Sequence, residues 1–367
     1  MKNTFGSSIA ITLFGESHGY GIGAVLDGMP AGIKVDTEYI EKKLTQRRPG
    51  GSISTARVEK DNYRLVSGVF NGYTTGAPVT ILIENENTHS KSYEGIKNTP
   101  RPSHADYAAR CKYRGFEDYR GGGHFSGRIT AALVAAGAVI GKALLDKGIQ
   151  IGTHIANLHG VCDREFEDYR GDLELLANKQ FAVLSDEAEE KMVSEIIAAK
   201  NDGDSVGGVL ESVILGVPAG VGEPWFDSME GVISHMLFSI GGIKGIEFGR
   251  GFEFADMYGS EANDSFVMED NRVVTKTNHN GGINGGITNG MPLTLRCVVK
   301  PTPSVYKEQQ TVNLQSMTNE ILKIEGRHDP AIIHRARGVV DAALAIVVAD
   351  MLTLRFGTDY LVKNAGE

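Results

Sequence analysis

Two stretches of the chain are apolar on nearly every face. Ile129–Leu145 (ITAALVAAGAVIGKALL) and Asp341–Phe356 (DAALAIVVADMLTLRF) are rich in alanine and carry few charges, the pattern of helices buried all round. Gly357 ends the second of them. A third helix is predicted over Asp227–Ile240, and strands over Gly21–Leu26, Val206–Leu215 and Met291–Val299. The mixture predicts an α/β or α+β fold, a layered sandwich of sheets around buried Ala-rich helices. One echo suggests internal pseudo-duplication. VLDGMPAGI (Val25–Ile33) returns as VILGVPAGV (Val213–Val221) with five of nine positions identical, each copy leaving a strand through a Gly-x-Pro-Ala-Gly turn. No Ser/Pro-rich linker separates the halves, so residues 1–367 are read as one domain.

Composition narrows the class. With 37 Lys+Arg against 46 Asp+Glu the net charge is −9, which disfavours nucleic acid or an anionic membrane as the main partner. Ile129–Leu145 holds Lys142 and is shorter than the roughly 18 residues of a membrane span. The first residues, MKNTFGSSIAITLFGE, lack the apolar core of a signal peptide. Three distant cysteines give neither a disulfide framework nor a thiolate metal cage. A soluble cytoplasmic protein is expected.

The 46 glycines gather in clusters: GESHGYGIG, RRPGG, YRGGGHFSG, GGIKG and NHNGGINGG. Glycine at this density marks bends or close approach of a ligand to the main chain. Gly121–Gly123 precede the helix of Ile129–Leu145, with Ser126 as its N-cap, so free N–H groups there suit an anion. Walker A lysine is absent, and no G-x-G-x-x-G joins a strand to a helix. Arg47 and Arg48 precede PGG, Arg101 precedes Pro102, and Arg327 sits in GRHDP. A single arginine beside a turn is ordinarily a solvated charge; four such sites in an acidic protein point to bidentate oxyanion recognition. His18, His104, His279 and His328 also fall in polar loops. None has metal-ligand spacing, and Ser17 in G-E-S-H-G is followed by a strand pattern rather than the helix of a nucleophile elbow. Proton transfer to a polyanionic substrate is the remaining role.

FGESHG, RRPGGS, NTPRPSHADY, GDSVGGV, GVPAGVGEP, SIGGIKGIEFGRGF, NHNGGINGG, KPTPS and GRHDP, in this order, resemble the chorismate synthase family from about Gly6 to Asp350. The resemblance implies 1,4-elimination of phosphate from 5-enolpyruvylshikimate 3-phosphate, an anionic small-molecule substrate, with reduced FMN as cofactor, NADPH as a candidate reductant, and a homotetramer. It implies that His18 protonates the departing phosphate, that His104 works beside the anionic flavin, and that Asp329 assists proton movement at flavin N5. By the same resemblance, Arg47, Arg48, Arg101, Arg128 and Arg327 hold the substrate. His124, Phe125, Ser126, Gly241, Gly242, Gly285, Lys300, Pro301, Thr302, Pro303, Ser304 and Arg327 hold the flavin; no metal is implied. Three departures stand out. Family members read Arg-Ser-Ser-Ala-Arg-Glu-Thr where this chain has His124 to Thr130, an arginine is replaced by Ile53, and Gly338 and Asp341 stand where Pro and Glu are expected. An FMN-binding relative without turnover is the competing reading.

Overall fold

The computed structural model describes residues 2–51, 53–54, 60–86, 97–324 and 328–362. Two five-stranded antiparallel sheets form the outer layers. The first orders its strands Thr4–Phe5, Ala10–Gly15, Gly21–Asp27, Val79–Glu84, Tyr63–Ser67; the second orders Ile243–Phe248, Leu293–Val299, Gly208–Leu215, Gln150–Leu158, Val161–Cys162. The described helices are α1 (Thr37–Arg47), α2 (Asp106–Tyr113), α3 (Thr130–Asp146), α4 (Tyr169–Asn178), α5 (Asp186–Asn201), α6 (Met229–Ser239), the single turn α7 (Gly259–Ala262) and α8 (Ile333–Phe356). Burial alternates along Val79–Glu84 and Leu293–Val299, so each sheet turns one face inward. Between the sheets α3 lies on the first, α8 on the second, and the two helices pack on each other. Small residues set that approach: a methyl on Gly137 would lie 2.5 Å from Ala342 Cβ.

The halves repeat. Ala10–Gly15, Gly21–Asp27, α1, Tyr63–Ser67, Val79–Glu84 and α3 follow one another as do Gln150–Leu158, Gly208–Leu215, α6, Ile243–Phe248, Leu293–Val299 and α8, with α4 and α5 inserted after the first strand of the second half. The echoed turns match atom for atom. Thr74 Oγ1 donates to Pro30 O (2.6 Å) and accepts from Ile33 N (2.9 Å), while Thr288 Oγ1 donates to Pro218 O (2.7 Å) and accepts from Val221 N (3.0 Å). Both hydroxyls are buried, and valine of the same shape would leave an N–H and a carbonyl unpaired. Thr74→Val and Thr288→Val are therefore expected to cost about 1–3 kcal/mol each, by equal amounts in urea unfolding; a cost confined to one of them would refute the equivalence.

The predicted elements are present with shifted ends. α8 begins eight residues before Asp341 because Arg337 and Asp341, charged residues that mimic a helix start, face each other one turn apart inside the protein (3.7 Å). The apolar unit containing α3 is longer than its pattern suggested. Gly127–Asp146 reaches 20 residues, long and apolar enough to cross a membrane, yet 72% of its most apolar window is buried inside the protein.

The second sheet carries a buried ionic link. His154 lies 2.9 Å from both Asp163 Oδ2 and Glu211 Oε2, with Phe166 edge-on at 4.7 Å. Asp163 also accepts from Leu184 N (2.6 Å) and Ser185 N (2.9 Å), tying the start of α5 to the sheet. Burial pulls His154 down, but its hydrogen bonds to the two carboxylates outweigh it and raise the pKa above the ordinary value. A raised folded pKa stabilises fully below the unfolded value of about 6.5 and fades as pH rises through the folded one. His154→Gln should cost about 2–3 kcal/mol at pH 5–6 and progressively less toward alkaline pH; a gap that widens with pH would contradict this.

Candidate active site

The strand Ala10–Gly15 ends at Gly15 (φ +96°), and after the exposed Glu16 the chain turns inward. Ser17 and His18 are buried. Ser17 N donates to Gly123 O (3.1 Å), and His124 Nδ1 lies 2.7 Å from Gly15 O, so the GGG run is bound to this turn. Ser17 Oγ lies 3.2 Å from Arg120 O and Gly121 O and 2.9 Å from His18 Nδ1. Carbonyls only accept, so the single hydroxyl proton goes to them and His18 Nδ1 must carry the hydrogen it shares with Oγ. Exchangeable proton chemistry is left to Nε2.

The segment before α2 brings a second histidine to the same glycines. Arg101 donates through Nε (2.7 Å) and Nη2 (2.8 Å) to Asp106, and His104 Nδ1 lies 2.6 Å from Asp106 Oδ1. Burial raises Asp106, but hydrogen bonds from Arg101 and His104 prevail and hold it well below the carboxylate range. The carboxylate thus fixes the proton on Nδ1 of His104. Gly121 abuts the His18 ring, while a methyl on Gly122 would lie 3.4 Å from His104 Nε2. Adjacent glycines, both with positive φ, are what let the two imidazoles reach one place.

Arginines form the next layer. Arg47 (3.3 Å), Arg48 (3.7 Å) and Arg128 all pair with Asp61, whose side chain is entirely buried. Arg47 also donates to Thr130 Oγ1 (2.9 Å) and Gly127 O (3.0 Å). Asn85 ties this cluster to the histidine turn: it accepts from Arg128 Nε (3.3 Å) and donates to Glu16 O (2.9 Å) and Gly19 O (3.1 Å). Arg335 donates to Arg47 O (2.9 Å) and pairs with Asp329, placing Asp329 beside the arginines. His334, on Ser54 Oγ at 2.8 Å, is lowered to about 4 by burial and by Arg335, against the pull of Asp329, so it is neutral here. Arg327 lies outside the described residues.

The second half contributes KPTPS. Lys300 N donates to Gly242 O (2.9 Å), Lys300 Nζ to Ser103 O (2.7 Å), and Ser205 Oγ to Thr302 O (2.7 Å), so KPTPS joins the Gly242 turn and the Ser205 loop to the His104 segment. Burial and the nearby Lys244 lower Lys300. Ser126 caps the turn into α3, its Oγ accepting from Arg128 N (3.3 Å); Phe125 stands half-exposed, tilted at 6.2 Å from Tyr113. Ser304 is buried, and Pro303 O accepts from Gln309 (3.4 Å). Gly285 lies in the turn of the hairpin Ile283–Thr288, whose Gly286 O accepts from Met229 N at the start of α6 (2.9 Å). Asp61, Asp106, Asn85 and Arg335 are not singled out by the sequence: no spacing marks Asp61 or Asn85, whose side-chain partners lie 13 or more residues away, whereas Asp106 sits inside NTPRPSHADY and Arg335 six residues after Asp329.

The match to known proteins is broad. The family model described as chorismate synthase matches residues 9–353. A chorismate synthase of Pyrococcus abyssi is 47% identical over 95% of this chain and 97% of its own, and one of Thermococcus gammatolerans is 46% identical over 98% and 99%. A crystal structure of chorismate synthase superposes with a TM-score of 0.76 at 30% identity, covering 96% of this chain and 94% of that one. With sequence and architecture agreeing over nearly its full length, the chain belongs to the chorismate synthase family.

Proposed function

We propose that the chain converts 5-enolpyruvylshikimate 3-phosphate to chorismate and inorganic phosphate, the last step of the shikimate pathway, at the loops carrying His18, His104 and Asp329. The observation that carries this reading is the meeting of two imidazoles, His18 buried and His104 partly buried, on adjacent glycines beside a group of three arginines. In the elimination a C–O bond to phosphate and a ring C–H bond break; the phosphate leaves with its electron pair, a proton leaves the ring, and a new double bond results. Arg47, Arg48 and Arg128 gather on the Asp61 carboxylate, with Arg48 also paired to Glu41 (2.7 Å), and this cluster of guanidiniums suits the substrate's phosphate and carboxylates. Arg101 is already satisfied by Asp106, so its role is to orient His104 as much as to bind. His18, with Nδ1 held by Ser17, offers Nε2–H to the departing phosphate oxygen when protonated, and a protonated phosphate leaves more readily. Asp329, held beside Arg335, receives a proton near the ring.

The residues present fit a flavin mononucleotide. Thr302 Oγ1 is buried without a partner, and a side chain on Gly241 would meet nothing within 4 Å. Gly241, Gly242, Ser126 and Lys300 to Ser304 would hold it, with Arg327. Reduced flavin supplies transient electron density to the substrate ring and regains it, leaving the reaction redox-neutral. His124 stands where an arginine is expected, and with its Nδ1 at Gly15 O it has Nε2 to offer the flavin. A single domain, assembled as a homotetramer in the cytoplasm, completes the reading; the nearly bare Phe116, Trp225, Phe226 and Phe252 support an assembly that covers them.

The test is anaerobic release of phosphate from the shikimate ester with chemically reduced FMN. Release that requires the flavin is the expected result; flavin binding without release would instead identify a relative without turnover, and release without flavin a hydrolase. Replacing reduced FMN by oxidised FMN and NADPH shows whether the chain reduces its own cofactor.

A further inference from the structure

A cavity of about 360 Å³ opens in the helix layer, walled by α1, α3, α4, α8 and the start of strand Gln150–Leu158, and it shares no residue with the loops described above. Its volume falls at the small end of ligand pockets, about 300–1,000 Å³. Its walls are apolar along α3 and α8, with Val134, Ala138 and Ala345. Its polar end is Lys43, Arg337 and Asp341. Lys43 Nζ lies 3.4 Å and Arg337 Nη1 3.7 Å from the same oxygen, Asp341 Oδ2. Arg337 Nη2 donates to Leu176 O (3.3 Å) and Lys179 O (2.6 Å).

Two atoms are left over. Arg337 Nε and Asp341 Oδ1 are buried and have no hydrogen-bond partner, on side chains 1% and 7% exposed. One is a donor and the other an acceptor, so no single group of one sense satisfies both, and leaving each unpaired costs about 1–3 kcal/mol. The space beside them comes from α8 itself: a side chain on Gly338 would meet nothing within 4 Å.

We propose that this cavity binds a small α-amino acid with an apolar side chain. Its carboxylate accepts from Arg337 Nε and Lys43, its ammonium donates to Asp341 Oδ1, and its side chain lies along α3. Burial lowers Lys43 against the pull of Asp341, and an arriving carboxylate offsets that cost.

Isothermal titration of the full chain with L-leucine, L-phenylalanine, 3-phenylpropionate and 2-phenylethylamine tests this. An amino acid should bind at least about tenfold more tightly than either analogue lacking one charge, a gap of about 1.4 kcal/mol. Gly338→Leu, which fills the space and suits a helix better than glycine, should abolish binding while phosphate release continues, and Asp341→Asn should weaken it about tenfold or more. Absence of heat at about 10 mM amino acid, equal affinity for the one-charge analogues, or unchanged binding by Gly338→Leu would overturn the assignment. None of these outcomes bears on the elimination reaction, which the phosphate assay reads separately.

Discussion

Gly121→Ala is expected to abolish turnover nearly as completely as removing His18, by about 10²–10⁴-fold, the usual contribution of a positioned acid or base, in a protein that still folds. A methyl at this position would sit 2.5 Å from Ser17 Oγ and closer still to the imidazole of His18. Backbone strain adds to this, since Gly121 holds φ +60°, where a Cβ costs about 1–2 kcal/mol. Gly115 supplies the control: it holds φ +79° with open space where its Cβ would be. Gly115→Ala should therefore lose similar stability in thermal unfolding and keep near wild-type phosphate release. Wild-type turnover by Gly121→Ala would show that the imidazole does not need its place against the glycine run, and the proton-donor assignment of His18 would fall with it.

The same comparison shows what a sequence can disclose about such a site. Both histidines and most arginines stood out because each adjoins a glycine or proline bend, and a bend is a local property. Their partners did not. Asp61 is one of 46 acidic residues, and nothing in KDNY distinguishes a carboxylate that will be enclosed by three guanidiniums from one that faces water. α3 and α8 were legible because burial on every face removes the polar stripe, and the strands Gly21–Asp27 and Gly208–Leu215 were legible through the repeated turn that follows them. α5 carries an equally readable signal, Ser185 as N-cap and Ala188, Met192 and Ile196 buried at helical spacing. The start of α8 was misplaced for a physical reason: a buried i,i+4 ion pair looks, in sequence, like the polar boundary of a helix.

Duplication explains why the loops meet. Arg47 and Arg48 end α1 as Gly241 and Gly242 follow α6; Asn85 follows Val79–Glu84 as Lys300 follows Leu293–Val299; Ser126 and Arg128 precede α3 as Asp329 precedes α8. Each pair of site residues thus occupies the corresponding position of the two halves. Since α3 and α8 pack directly on each other, corresponding ends of the halves are brought to one region, and segments some 200 residues apart in sequence can build a single site.

Asp61→Asn is expected to lower stability by about 3–5 kcal/mol, the range for breaking a buried ion pair from one side. Asparagine keeps the size of the side chain and tolerates the left-handed backbone that Asp61 adopts at φ +49°, so the change isolates the charge. Without it, Arg47 and Arg128, both largely withdrawn from water, lose the carboxylate they share. An oxyanion that binds the folded state restores stability by mass action, so inorganic phosphate should raise the melting temperature of Asp61→Asn by more than it raises that of the wild type. The Asp61 carboxylate holds the three guanidiniums together before substrate arrives, and a phosphate or carboxylate of the substrate joins the same cluster. A variant as stable as the wild type in anion-free buffer would mean that the three arginines are solvated separately and do not form one substrate-binding group.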